Sequence, residues 1–85
     1  MWYIYILQSL NNNRFYTGYT SDMNKRVSRH NSGGNLSTRS GRPWKLVYFE
    51  KYPNKIDAMR RERQIKKYKG GSAFKKLIKH AWVAE

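Results

Sequence analysis

The 85-residue chain carries 18 Lys and Arg against 5 Asp and Glu, a formal net charge of +13, and it has seven Tyr and no Cys. A chain this short buries only about 60–65% of the surface its unfolded form exposes, so one domain spanning residues 1–85 around one modest core is expected. The charge points to a polyanionic partner, nucleic acid first and an anionic membrane surface second, while the missing Cys excludes a disulfide framework or thiolate zinc finger and suits a reducing cytoplasm.

The run WYIYIL at residues 2–7 is far shorter than the ~20 residues of a membrane span, and no basic segment precedes it. A soluble, unprocessed chain is expected. Residues 2–8 are instead β-branched and aromatic, as in a strand, and SLNNN supplies the Asn-rich chemistry of a hairpin loop before RFYTGY returns as a second strand. Thr20, Ser21 or Asp22 caps a helix over residues 22–32, which Gly33-Gly34 stops. Residues 35–43, NLSTRSGRP, read as a loop.

WKLVYFEKY, residues 44–52, is the third predicted strand, closed by Pro53. Asn54 then caps a second helix running to about Lys69, with Asp57 in its positively polarised first turn. Gly70-Gly71 separates it from a third helix starting near Ser72, on which Phe74, Leu77, Ile78 and Trp82 recur at core spacing. The fold class is α/β in the loose sense, α+β: an antiparallel sheet covered by helices, in the order β-β-α-β-α-α.

Side chains alternate along a strand, so Tyr3 and Tyr5 share one face and Tyr16 and Gly18 share one face of its partner. A loop of two or four residues makes Tyr5 and Tyr16 diagonal neighbours on a common face; a three-residue loop or a bulge changes that register. Arg26 and His30 stand at i and i+4, one turn apart on one helix face. A guanidinium forks onto two phosphate oxygens, and an imidazole donates or moves a proton near neutral pH. Each of these residues also has a plain structural reading, as packed phenols, a solvated charge and a satisfied core histidine.

The acids are few. Asp22 and Asp57 sit at helix N-termini, Glu50 lies at a strand end and Glu85 is the last residue. That leaves Glu62, the only acid among nine Lys and Arg between residues 58 and 80, on the helical stripe of Ala58, Met59 and Ile65. A carboxylate on the core side needs a partner or a task. A hard divalent cation is held by one or two carboxylates with water and phosphate completing its shell, and an ion pair with Lys55, Lys66 or an Arg neighbour is the alternative. There is no phosphate-binding P-loop, no His pair at zinc spacing and no Gly-x-Ser-x-Gly elbow.

The order YIY (3–5), YTG (16–18), Arg26, His30 and a helical Glu62, with GRPWKLVYFE and NKIDAMRRE following the same pattern, resembles the GIY-YIG nuclease superfamily over nearly the whole chain, most closely its small stand-alone bacterial members. Tyr3 replaces the first motif's glycine, Thr17 the second motif's isoleucine, and Tyr19 stands where some relatives have lysine. The resemblance implies a three-stranded antiparallel sheet flanked by helices and metal-dependent hydrolysis of DNA phosphodiesters. It assigns Tyr5, Tyr16, Arg26, His30 and Glu62 as catalytic, with Glu62 holding Mg²⁺ or Mn²⁺.

On that reading one of the two tyrosines, directly or through His30, takes a proton from water, and Arg26 with the bound cation supplies the positive charge that favours a phenolate. Tyr19, Lys25, Arg29, Arg39, Arg42, Arg63, Lys66 and Lys67 are expected to contact DNA, mostly through the backbone and with little sequence preference. DNA is the expected partner, with no membrane and no small-molecule cofactor. A catalytically idle DNA- or RNA-binding module and a basic membrane-surface protein are the alternatives.

Overall fold

Continuous apolar character in the first strand has a direct cause: both of its faces are covered. The computed structural model describes residues 1–83, with side chains through residue 79. Strands β1 (Trp2–Ser9), β2 (Phe15–Thr20) and β3 (Trp44–Tyr52) form one antiparallel sheet in the order β2-β1-β3. On one face Ile4 and Ile6 of β1 pack with Ala58 and Ile65 of α2 (Lys55–Lys67) and Phe74 of α3 (Ser72–Val83). On the other face Tyr5 and Leu7 pack with Trp44 and with Met23 and Val27 of α1 (Met23–Ser32). The expected single core is thus two apolar layers separated by the sheet.

The hairpin between β1 and β2 closes over four residues. Ser9 N–H donates to the Arg14 carbonyl at 2.8 Å, Asn13 N–H donates to Ser9 O at 3.1 Å, and Asn13 takes the left-handed φ of 63° that the turn requires. Tyr5 therefore stands opposite Gly18 and Leu7 opposite Tyr16. Tyr5 and Tyr16 are diagonal neighbours on one face, the four-residue case.

Pairing with β3 carries a bulge that sequence reading did not reveal: Ile6 faces Tyr48 while Leu7 faces Leu46. The extra residue, Val47, lets Trp44 and Leu46 pack under α1 while Val47 and Tyr48 both pack on the α2–α3 face. Beyond it Tyr48, Glu50 and Tyr52 follow one another on a single face. Both phenols donate to the Glu50 carboxylate, and Arg61 of α2 donates to it from Nε at 2.9 Å and from Nη2 at 3.0 Å.

Asp22 caps α1 by accepting from Lys25 N–H, Gly33 ends it at φ 83°, and Asn54 caps α2 by accepting from Asp57 N–H. The second helix stops at Lys67, two residues before the expected end, because Tyr68 and Lys69 N–H turn back to the Ile65 and Lys66 carbonyls and Lys69 and Gly70 take positive φ. Leu77 and Ile78 of α3 pack against the core as expected; Trp82, placed on the same stripe, lies outside the described side chains, as does Glu85.

The segment read as a loop, 35–43, contains one 3₁₀ turn at Arg39–Gly41 and is tied down at several points. Ser9 Oγ donates to Gly41 O at 2.6 Å, the Trp44 indole N–H donates to Thr38 O at 2.7 Å, and Leu10 N–H donates to Pro43 O at 2.9 Å. Thr38 is consequently buried. Among the described residues no helix is long and apolar enough to cross a membrane.

Candidate active site

Strand β2 lies at the sheet edge, and its second half sets the geometry. At Gly18 a Cβ would stand 2.5 Å from Tyr5 Oη, so only the absence of a side chain lets the Tyr5 ring extend across β2 toward that edge. There a polar-walled cavity of about 360 Å³ opens, lined by Trp2, Tyr5, Tyr16, Gly18, Tyr19, Thr20, Ser21, Arg26, Lys55 and Glu62. Tyr5 and Tyr16 enter from the face under α1, Arg26 from α1 itself, and Glu62 from α2 around the edge of the sheet.

Tyr5 is enclosed completely, while Tyr16 is partly open. Their rings lie 6.3 Å apart between centroids, and His30 completes the cluster at 4.8 Å from Tyr16 and 6.0 Å from Tyr5. His30 Nε2 stands 3.1 Å from Tyr5 Oη, and its Nδ1 stands 2.8 Å from Thr38 Oγ1. The imidazole is therefore fully enclosed, and its hydrogen-bonded link to the cavity runs through the Tyr5 phenol.

Electrostatics follow from this burial. Desolvation pushes the Tyr5 phenol up to about 12, the neighbouring Tyr16 adds to the rise, and Arg26 pulls the other way without prevailing. Arg26 thus acts in the direction of a phenolate, but alone, in the free protein, it does not overcome burial at Tyr5. Desolvation, followed by the positive charges of Arg26 and Arg29, lowers the His30 pKa below its ordinary 6.5 and keeps the ring neutral.

Glu62 is shielded to 14% side-chain exposure and sits 3.5 Å from Lys66 Nζ, one turn on, so the ion-pair alternative and the cavity position coexist. Lys55, another of the expected alternative partners, lies over the Trp2 ring at 5.5 Å from its centroid. No group of three or more His, Cys, Asp or Glu gathers among the described residues. The cavity wall holds instead one carboxylate, Glu62, with Tyr16 and Ser21 beside it and open room, while the Thr20 hydroxyl is taken up by the Asp22 backbone. An oxygen-only set with space for water and phosphate fits a hard divalent cation such as Mg²⁺ or Mn²⁺.

Of the residues expected to contact DNA, Tyr19 lines the cavity, and Lys25 and Arg29 line an adjoining recess that shares Thr20, Ser21 and Arg26 with it. Lys66 borders a further groove with Phe15, Tyr16 and Phe74. Arg39 and Arg42 are exposed on the α1–β3 connection, where their Nε groups donate to Gly33 O and Arg39 O, and Arg63 and Lys67 are exposed on α2 outside the cavity wall. Sequence reading missed Thr38, Trp2 and Lys55 as members or supports of this site. The half-buried Glu50–Arg61 pair also went unread, although the alternation Tyr48-x-Glu50-x-Tyr52 was visible.

A family model described as the GIY-YIG catalytic domain matches residues 1–76. A UPF0213 protein of Staphylococcus epidermidis is 45% identical over 67 residues, 78% of this chain and 80% of that protein. One from Pediococcus pentosaceus is 42% identical over 79 residues, 92% of this chain and 82% of that protein. The solution structure of a UPF0213 protein of Bacillus halodurans is 41% identical, covering 78% of this chain and 71% of that one, with a TM-score of 0.47.

Proposed function

Because this chain belongs to the GIY-YIG catalytic-domain family, with UPF0213 proteins as its relatives, we propose that it is a divalent-metal-dependent endonuclease that hydrolyses DNA phosphodiesters with low sequence specificity or a preference for DNA structure. The observation that carries this reading is the convergence of Tyr5, Tyr16, Arg26 and Glu62, brought from four elements, on one cavity. Glu62 would hold Mg²⁺ or Mn²⁺, which when bound polarises the phosphate and stabilises the leaving oxygen.

The chain's own residues do the rest. Arg26 forks onto non-bridging oxygens and opposes the charge that grows on them in the transition state. Tyr5 accepts the proton of the attacking water as its own proton passes to His30 Nε2, so no free phenolate is needed. The entering phosphate brings negative charge that offsets the repulsion of Arg26 and Arg29 toward a protonated His30. Tyr16, the more open phenol, borders the substrate. Tyr19, Lys25 and Arg29 hold the flanking backbone, and Arg39, Arg42, Arg63, Lys66 and Lys67 extend a field that favours DNA without reading its bases.

Purified protein with Mg²⁺ or Mn²⁺ is expected to nick or degrade DNA. Glu62→Gln and Arg26→Ala are each expected to slow cleavage by about 100-fold or more with the circular dichroism spectrum and melting temperature little changed. Equal cutting by both variants would assign the activity elsewhere. DNA binding that weakens linearly in log–log with salt, without cleavage of duplex, single-stranded or branched DNA under any divalent cation, would establish a binding module instead.

A further inference from the structure

Behind the cavity, Tyr5, His30 and Thr38 form an enclosed line whose exposures are 0%, 0% and 1%. Thr38 Oγ1 lies 2.8 Å from His30 Nδ1 and 3.4 Å from the Asn35 carbonyl oxygen, and His30 Nε2 lies 3.1 Å from Tyr5 Oη. A threonine hydroxyl owns one hydrogen, and a carbonyl oxygen only accepts. When that hydrogen goes to Asn35, Thr38 Oγ1 becomes the acceptor and a hydrogen is required on Nδ1. Nε2 is then bare, and Tyr5 becomes the donor to it. Every polar group in the line is satisfied without water, as enclosure demands. The opposite assignment places a hydrogen on Nε2 aimed at Tyr5 Oη and leaves the phenol's own hydrogen to find another acceptor.

We infer that Thr38 is a positioning residue that holds neutral His30 in the Nδ1–H tautomer, leaving Nε2 as the acceptor of the Tyr5 proton. In a neutral imidazole the bond made by one nitrogen decides the state of the other. Thr38 is itself fixed: its carbonyl accepts from the Trp44 indole at 2.7 Å and from Gly41 N–H at 3.2 Å, and its N–H donates to Asn35 O at 3.2 Å.

The consequence for chemistry rests on the nuclease reading. As the water oxygen forms its bond to phosphorus, its O–H bond breaks and the proton joins Tyr5 Oη. The Tyr5 O–H bond breaks in turn, an N–H bond forms at His30 Nε2, and the bridging P–O bond breaks with its electron pair on the leaving oxygen. His30 ends with hydrogens on both nitrogens, still donating from Nδ1 to Thr38. In the other tautomer Nε2 has no lone pair to receive the proton.

Two-bond ¹H–¹⁵N correlation spectra of the metal-free, ¹⁵N-histidine-labelled protein at neutral pH read the tautomer directly. The expected result is a protonated Nδ1 and an unprotonated Nε2 for His30. Thr38→Val is expected to move His30 toward the Nε2–H form and to slow single-turnover cleavage about 10- to 100-fold, with Thr38→Ser restoring both. An Nε2–H tautomer in the unaltered protein would overturn the inference, and so would Thr38→Val retaining both the Nδ1–H form and the full rate. The spectrum of the unaltered protein decides the tautomer even where a variant fails to fold. A protein that cuts no DNA would overturn the nuclease reading while leaving that measurement valid.

Discussion

Gly18 and Tyr5 show how a missing side chain places a present one. The tyrosine crosses its neighbouring strand only because Gly18 leaves the space, and a Cβ there would meet ring carbon Cζ at 2.7 Å as well as Oη. Neither atom belongs to a flexible tip, so the ring must swing away. Gly18→Ala is expected to lower cleavage at least ~10-fold and to destabilise the fold by about 1–3 kcal/mol through overpacking; cleavage kinetics and urea unfolding check the two effects separately. Full activity and stability would mean that the phenol position is not needed. The same enclosure explains why Tyr5 resists ionisation despite Arg26: taking a phenolate out of water costs more than one guanidinium returns.

Helix α2 must be held in register for Glu62 to reach round the β2 edge, and the preceding residue holds it. Arg61 clasps Glu50 of β3, which also accepts from Tyr48 and Tyr52. Burial works to raise the Glu50 pKa, but the hydrogen bonds from Arg61 and the two phenols outweigh it and the net shift is downward. Removing the cation strands a shielded carboxylate. The side chains of the pair are 21% and 20% exposed, so the loss is tempered by water: Arg61→Ala is expected to cost about 2–3 kcal/mol, with Glu50→Ala in the same protein recovering part of it. Urea unfolding of the double-mutant cycle measures this. Strictly additive losses would show that the pair is not coupled.

The whole molecule's response to pH follows from what it encloses. Tyr5, Tyr48 and Tyr52 each keep their proton up to about 12, burial being the first cause, against an ordinary value of 10.0. Between pH 10 and 12 the folded chain therefore binds more protons than the unfolded one, and stability falls as pH rises through that window. His30 has the opposite shift, so the unfolded chain takes the proton first and stability falls as pH drops below 6.5. Urea midpoints measured from pH 5 to 11.5 are expected to form a plateau between about 7 and 9.5 with a decline on both sides. A midpoint that holds or rises between pH 10 and 11.5 would contradict the alkaline arm.

Local chemistry was readable along the chain. The cluster Thr20, Ser21 and Asp22, with Asn54 and Gly33, announced helix ends because a cap acts within a few residues of itself, and Trp44–Tyr52 appeared with its observed bounds because β-branched and aromatic residues ran up to a proline. Arg26 with His30, and Glu62 on its apolar stripe, were visible as spacings.

The bulge at Val47, the tied segment that buries Thr38, and the Glu50–Arg61 clasp were not readable in this way, since each depends on which distant residue stands opposite. The amino-acid sequence by itself determined the elements, the charge and the chemistry-bearing side chains. Only tertiary structure decided that Glu62 rounds the sheet edge to join Tyr5, Tyr16 and Arg26, because convergence of groups far apart in the chain is set by packing between layers and not by any local preference.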